Sequence, residues 1–122
     1  MTKIKLVVFD MDGTLLQARS CWNYIHQHFG IDNKEMLQRY MEHKIDDQEF
    51  AESDIRLWKQ SSDVPINEAY INSILDEIKP IDGAEDLIQS LHQKGIQTVI
   101  LSGGIKYLAV KWAEKWNMKE AI

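Results

Sequence analysis

Hydrophobic positions along this chain follow two patterns. Ile4, Leu6, Val7, Val8 and Phe9 form a nearly continuous apolar run, rich in β-branched residues, that stops at Asp10. Ile96, Val99, Ile100 and Leu101 form a second run that stops at Ser102, Gly103 and Gly104. Short apolar runs without polar alternation predict strands buried on both faces, as in a parallel sheet. Elsewhere the apolar residues recur at helical spacing. From Ser20 to Lys79 glycine is nearly absent. Asp32 with Glu35 and Asp46 with Glu49 have the spacing of capping boxes. Pro65 breaks the pattern before a helix carrying Ala69, Ile71, Ile74, Leu75 and Ile78. This stretch predicts three or four helices. Asp82 with Glu85 is a further candidate cap, before a helix with Leu87, Ile88 and Leu91 that Gly95 ends in a left-handed turn. A last helix after Gly104 carries Tyr107, Leu108, Val110, Trp112 and Trp116.

The predicted order is therefore strand, helical insertion, helix, strand, helix: an α/β crossover interrupted after its first strand. The insertion is expected over the carboxyl ends of the strands, where open α/β sheets place their ligands.

Composition narrows the function classes. The 122 residues fit one domain, with 44% hydrophobic and 27% charged residues, a balance that predicts a packed core. The net charge of -5, with no Lys/Arg run, argues against nucleic acid or an anionic membrane as partner. No apolar stretch approaches the ~20 residues of a membrane span, and the N-terminal run leads into aspartates rather than a cleavage site. The single cysteine, Cys21, excludes an internal disulfide framework and suits a reducing cytoplasm. It reads as a half-buried helix residue. His26 and His28, two apart on a helix, are poorly placed to share a metal, His43 and His92 read as surface residues, and the four tryptophans read as packing.

The chemistry concentrates in Phe9-Asp10-Met11-Asp12-Gly13-Thr14-Leu15. Two carboxylates two residues apart, just beyond a buried strand, face the same way if the backbone stays extended. One can attack phosphorus while the other moves protons. Gly13 permits a tight bend with amides left for phosphate oxygens. Ser102, Gly103 and Gly104 offer a hydroxyl and amides at the start of the next helix, a good anion site. Two parallel strands ending side by side would bring Asp10 and Ser102 to one phosphate. The plain alternatives are turn-capping aspartates and an ordinary strand-to-helix turn.

Residues 10–15 resemble the first motif of the haloacid dehalogenase-like superfamily, Leu101-Ser102-Gly103-Gly104 resembles its second, and Pro80-Ile81-Asp82-Gly83 resembles its usual run-in. The Ser-Gly-Gly form and the early helical insertion are most similar to the phosphoserine phosphatase branch. The resemblance implies a Rossmannoid α/β core over residues 1–16 and 80–122, with a helical cap over 17–79. It implies hydrolysis of a small phosphorylated metabolite through an aspartyl-phosphate, with Asp10 as nucleophile and Asp12 as acid and base. Asp10 and the Asp12 backbone carbonyl would bind Mg2+, and Gly13, Ser102 and Gly103 the phosphate.

The same resemblance implies parts this pattern does not supply: a lysine facing the phosphate and a later acidic pair for the metal. Asp46 and Asp47 fall in the insertion and read as helix caps, and Lys106 and Lys111 read as solvated charges. The expectation is thus a piece of a longer protein, with weak metal binding and little turnover alone, and a bare edge on the first strand that would serve a homodimer. The rival is a non-catalytic binding or assembly module on the same fold. Where the phosphoserine phosphatases carry a glutamate for the substrate amine, this chain has Arg19, which would attract a carboxylate or second phosphate. Arg56 falls near a basic cap residue of that branch.

Overall fold

The computed structural model describes residues 3–122. Strand β1 (Leu6–Phe9) is followed by helices α1 (Cys21–Phe29), α2 (Lys34–Met41), α3 (Asp47–Ser61), α4 (Glu68–Leu75) and α5 (Ala84–Gln93). Then come strand β2 (Gln97–Ile100), helix α6 (Lys106–Lys115) and the short strand β3 (Glu120–Ala121). The three strands form a parallel sheet in the order β1-β2-β3, with Leu6 opposite Gln97 and Phe9 opposite Ile100.

In-register parallel strands put Val7 and Phe9 on the same face as Thr98 and Ile100. That face is the covered one. Phe9 and Ile100 join a core with Ile88 of α5 and Leu108, Ala109 and Trp112 of α6, and the Thr98 hydroxyl lies 2.7 Å from His92 Nε2 of α5. Both crossover helices therefore pack on one side. The other side corrects the expectation of burial on both faces for β1 but not for β2: Ile4, Leu6, Val8 and Leu101 are 69%, 46%, 50% and 54% exposed, while Val99, opposite Val8, is buried. The physical reason is the one-sided placement of α5 and α6, together with the position of β1 at the sheet edge.

Between β1 and α5, where three or four helices are expected, four form. Ser20 caps α1 by accepting from the Asn23 amide at 3.3 Å, and Gly30, at φ +68°, ends it. Asp46 and Glu49 form the expected capping box on α3. The other two boxes do not form. Asn33 rather than Asp32 stands at the α2 N-cap, and its side-chain amide is committed to α3, donating to Ser53 Oγ at 3.1 Å and to Asp54 Oδ1 at 2.5 Å. Gly83, at φ +88°, occupies the N-cap of α5 in place of Asp82.

A buried polar knot joins α1, α3 and the start of α2. The Trp58 indole N–H donates to His26 Nδ1 at 2.8 Å, and His26 Nε2 lies 3.3 Å from Asp54 Oδ1. Since an indole only donates, Nδ1 accepts and the neutral ring carries its proton on Nε2, toward Asp54. Trp58 also stacks on Trp22 with ring centres 5.5 Å apart. His26, 7% exposed, is thus a core residue, and His92 is held to β2 rather than free at the surface. Lys111 likewise is not merely solvated. Its Nζ donates to Asp76 Oδ1 at 2.9 Å, as the Tyr107 hydroxyl does, tying α6 to the end of α4.

The two ends of the helical segment meet. The Gln17 amide donates to Lys79 O at 2.8 Å, its side-chain amide to Pro80 O at 2.9 Å, and the Ile81 amide to Leu15 O at 2.8 Å. Among the described residues no helix is long and apolar enough to cross a membrane.

Candidate active site

The carboxyl ends of β1 and β2 lie together. The Leu101 amide donates to Phe9 O at 2.9 Å, which continues the pairing one step past β2 and brings Asp10 level with Leu101, next to Ser102. Asp10 is exposed there, with the Thr14 hydroxyl donating to its Oδ2 at 3.4 Å.

After Asp10 the chain wraps around Met11, which is fully buried and whose carbonyl accepts from the amides of Thr14, Leu15 and Leu16 at 3.2, 2.9 and 3.1 Å. Gly13 sits at φ +73°, which a side chain would strain. Its amide donates to Leu16 O at 3.1 Å. This corrects the expectation of a free Gly13 amide for phosphate: the turn itself consumes that hydrogen. Among the described residues the amides of Asp10, Met11, Asp12 and Gly103 at this end have no partner within the protein.

Asp12 is half-buried. Its Oδ2 accepts from the Cys21 amide at 3.0 Å, while its Oδ1 is buried with no partner. An unpartnered buried carboxylate oxygen is costly unless a proton, ligand or cation completes it.

On the β2 side, Ser102 Oγ accepts from the Gly104 amide at 2.9 Å, and the Ile105 amide donates to Cys21 Sγ at 3.1 Å. Of the amides expected to be open here, only that of Gly103 remains so. Gly104 is dictated by space: a Cβ would lie 2.9 Å from Met11 Cε, 3.0 Å from Cys21 Sγ and 3.1 Å from Asp12 Oδ2. Cys21 is fully buried, not half-buried. Burial first, then the nearby Asp12 carboxylate, push its thiol up to about 12 against the opposing bond from Ile105, so it stays neutral.

Arg19 is exposed in the segment between Leu16 and α1, without an ion pair among the described residues. Arg56 lies on the outer side of α3 with Glu52, Ile55 and Lys59, away from the buried side that carries Ser53, Asp54 and Trp58. The structure brings Asp10, Asp12, Ser102 and Gly103 to one end of the sheet and does not bring Arg56 into contact with them. Sequence reasoning gave Thr14 and Cys21 no role at the site, and it read Gly104 for its amide rather than for the close packing that requires it. Thr14 could have been found as a hydroxyl four residues after Asp10, whereas the other two are visible only through the packing between loops.

Among the described residues no three His, Cys, Asp or Glu side chains converge on a metal-sized space. The donors at the strand ends are all oxygens, the exposed Asp10 carboxylate and the Asp12 group, a hard set of the kind Mg2+ uses together with waters and a substrate phosphate. That fits part of a coordination shell. A groove of about 780 Å³ lies apart from these residues, along α6 and Glu68 of α4, and is lined by Lys106, Lys111 and Lys115.

Residues 4–121 match the haloacid dehalogenase-like hydrolases. The chain is 29% identical over 120 residues to a phosphoserine phosphatase of Archaeoglobus fulgidus, covering 97% of this chain and 33% of that one. It is 28% identical over 122 residues to a phosphoserine phosphatase of Methanocaldococcus jannaschii, covering 98% of this chain and 55% of that one. A substrate-bound phosphoserine phosphatase structure superposes with a TM-score of 0.67 at 26% identity, over the whole of this chain and 56% of that one. A hydrolase structure from Salmonella enterica serovar Typhi superposes at 0.75 with 21% identity, covering 97% of this chain and 39% of the other, which speaks to fold alone. The chain thus spans from a third to somewhat over half the length of these relatives.

Proposed function

Since the chain belongs to the haloacid dehalogenase-like hydrolases, on the phosphoserine phosphatase-like side of that family, we propose that it carries the nucleophile and phosphate-binding half of a phosphatase acting on a small phosphorylated metabolite. The observation that carries this reading is the exposed Asp10 carboxylate level with Leu101-Ser102, beside an Asp12 whose second oxygen lacks a partner.

In this reading Asp10 attacks phosphorus, forming an Asp10–phosphate bond as the ester oxygen departs with a proton from Asp12. Water then gives a proton to Asp12 and attacks the same phosphorus, the Asp10–phosphate bond breaks, and orthophosphate leaves with both aspartates restored. The Thr14 hydroxyl orients Asp10, and Ser102 and Gly103 hold phosphate oxygens, while Gly13 supplies the turn. Asp10 and the Asp12 carbonyl would hold Mg2+, which when bound offsets the like charges of carboxylate and phosphate.

Residues 1–16 and 80–122 form the core in this account and residues 17–79 the cap, a division supported by the bonds from Gln17 to Lys79 and from Ile81 to Leu15. Arg19, at the start of the cap, selects substrates carrying a carboxylate or a second phosphate, and a reducing cytoplasm suits the buried Cys21 thiol. One observation favours a non-catalytic binding module instead: the lack of three converging metal-binding side chains among the described residues.

The test adds Mg2+ and beryllium fluoride, a mimic of phosphate on a carboxylate, to the chain and to Asp10→Asn. At ten times the dissociation constant the stabilisation is ~1.4 kcal/mol, or about 5 °C for a domain of this size. Wild type rises and Asp10→Asn does not; a wild type without a shift overturns the phosphatase reading in favour of the binding module.

A further inference from the structure

Cys21 touches two other loops, the turn at Asp12 and the Gly104–Ile105 segment 84 residues away. Its amide, the first of α1, holds Asp12 Oδ2 at 3.0 Å; its Sγ takes the Ile105 N–H at 3.1 Å; and it packs against the bare Cα of Gly104. The Ser20 cap and the fully buried thiol leave this first helical residue little freedom.

We propose that Cys21 is a positioning residue for Asp12: the thiol pins the start of α1 to the loop after Ser102-Gly103, aiming its amide at Asp12 Oδ2 and leaving Oδ1 as the oxygen available for proton transfer. The inference rests on the phosphatase reading for the role of Asp12, but not for the geometry. Two features set the thiol apart from other small side chains here. Sulfur accepts the Ile105 N–H across 3.1 Å, a reach that a methyl group cannot replace with any bond. Its size also matches the gap left by Gly104, where one added carbon would sit within 3.1 Å of Asp12 Oδ2, Cys21 Sγ and Met11 Cε at once. Cys21 therefore sets how deeply Asp12 is held and couples its orientation to the loop that would bind phosphate.

Deuterium exchange of backbone amides, followed by NMR on this chain, tests the geometry in Cys21→Ala and Cys21→Ser, with melting temperatures alongside. Loss of one hydrogen bond corresponds to about fivefold faster exchange. Cys21→Ala is expected to exchange that much faster at residue 21 and Ile105 while the β2 amides keep their wild-type rates, and Cys21→Ser, which still accepts, restores slow exchange. In a beryllium fluoride titration with Mg2+, Cys21→Ala weakens the response and Cys21→Ser recovers it. Uniform acceleration across the chain, or a serine variant no better than alanine, overturns the proposal in favour of a plain packing role. Should Cys21→Ala fail to fold, Gly104→Ala must accelerate exchange at residue 21, and an unchanged rate there overturns it. A wild type that ignores beryllium fluoride refutes the phosphatase reading alone, because the exchange rates still decide the role of Cys21.

Discussion

The bond from Trp58 to His26 is the most exposed to measurement of any in the helical segment, because both partners are buried and each can be removed alone. Trp58→Phe keeps a ring at the position but deletes the N–H that reaches His26 Nδ1 at 2.8 Å. The orphaned acceptor costs ~1–3 kcal/mol, and the diminished stacking on Trp22 up to ~1 kcal/mol more. Together that is about 1–4 kcal/mol, a large share of the ~5–15 kcal/mol that holds a typical domain. His26→Leu removes the acceptor and also strips one partner from the buried Asp54, which keeps Asn33. The Asp54 penalty appears in both His26→Leu and the double variant, so it cancels in a double-mutant cycle. What remains is the coupling between Trp58 and His26, expected at about 1–2 kcal/mol. Urea unfolding followed by circular dichroism, with equal slopes across the four proteins, measures it free of the lost fluorophore. A coupling below about 0.5 kcal/mol, the scatter of independent sites, would refute the claim that this bond clamps α3 to α1.

Two further outcomes follow from the surface. The Lys111 ammonium, and less strongly the Tyr107 hydroxyl, hold the Asp76 carboxyl below its ordinary range against a smaller opposing desolvation. A depressed folded value means that the stabilisation is fully present above the ordinary carboxylate range and is lost as the pH falls through the folded value. The pair is part-exposed, so it contributes ~0.2–1 kcal/mol; Asp76→Asn should lose that much at neutral pH in urea unfolding, with the gap shrinking below pH ~3.9, and a gap that persists at lower pH refutes it. On the open sheet face, Leu6→Lys with Val8→Lys should change stability by no more than about 0.5 kcal/mol each and reduce self-association in sedimentation velocity. A markedly lower melting temperature would mean that the face is covered.

Much of this architecture was legible from residue pattern alone. β-branched runs ending in Asp10 and Ser102 located β1 and β2, though not the two-residue β3, and the Asp46–Glu49 spacing located the start of α3, because these signals act within a few residues of their effect. What escaped was decided between distant segments. Asn33 displaced Asp32 as a cap because α3 offered its amide better partners in Ser53 and Asp54. Gly83 took the turn that Asp82 was expected to cap because the chain enters α5 at positive φ, where glycine is unstrained. The open face of β1 was invisible because apolar content reports what a strand is suited to, not how many layers cover it. At the candidate site the carboxylates and the serine stood out chemically. Cys21 did not, since an 84-residue separation lies between its sulfur and the amide it receives.

The meeting of Leu15–Gln17 with Lys79–Ile81 bears on how such a chain can change over time. Seen from the sheet, the helical segment is an excursion that leaves and returns at neighbouring points, so its length and content barely alter the distance the core must span. Loop-closure entropy grows only with the logarithm of loop length, so whole helices could be gained, lost or exchanged there at small thermodynamic cost. Strand β1 would keep its register with β2 throughout. The junction is therefore a natural seam for recombination, at which the helical segment can be replaced while the strand ends beside Asp10 and Ser102 stay as they are.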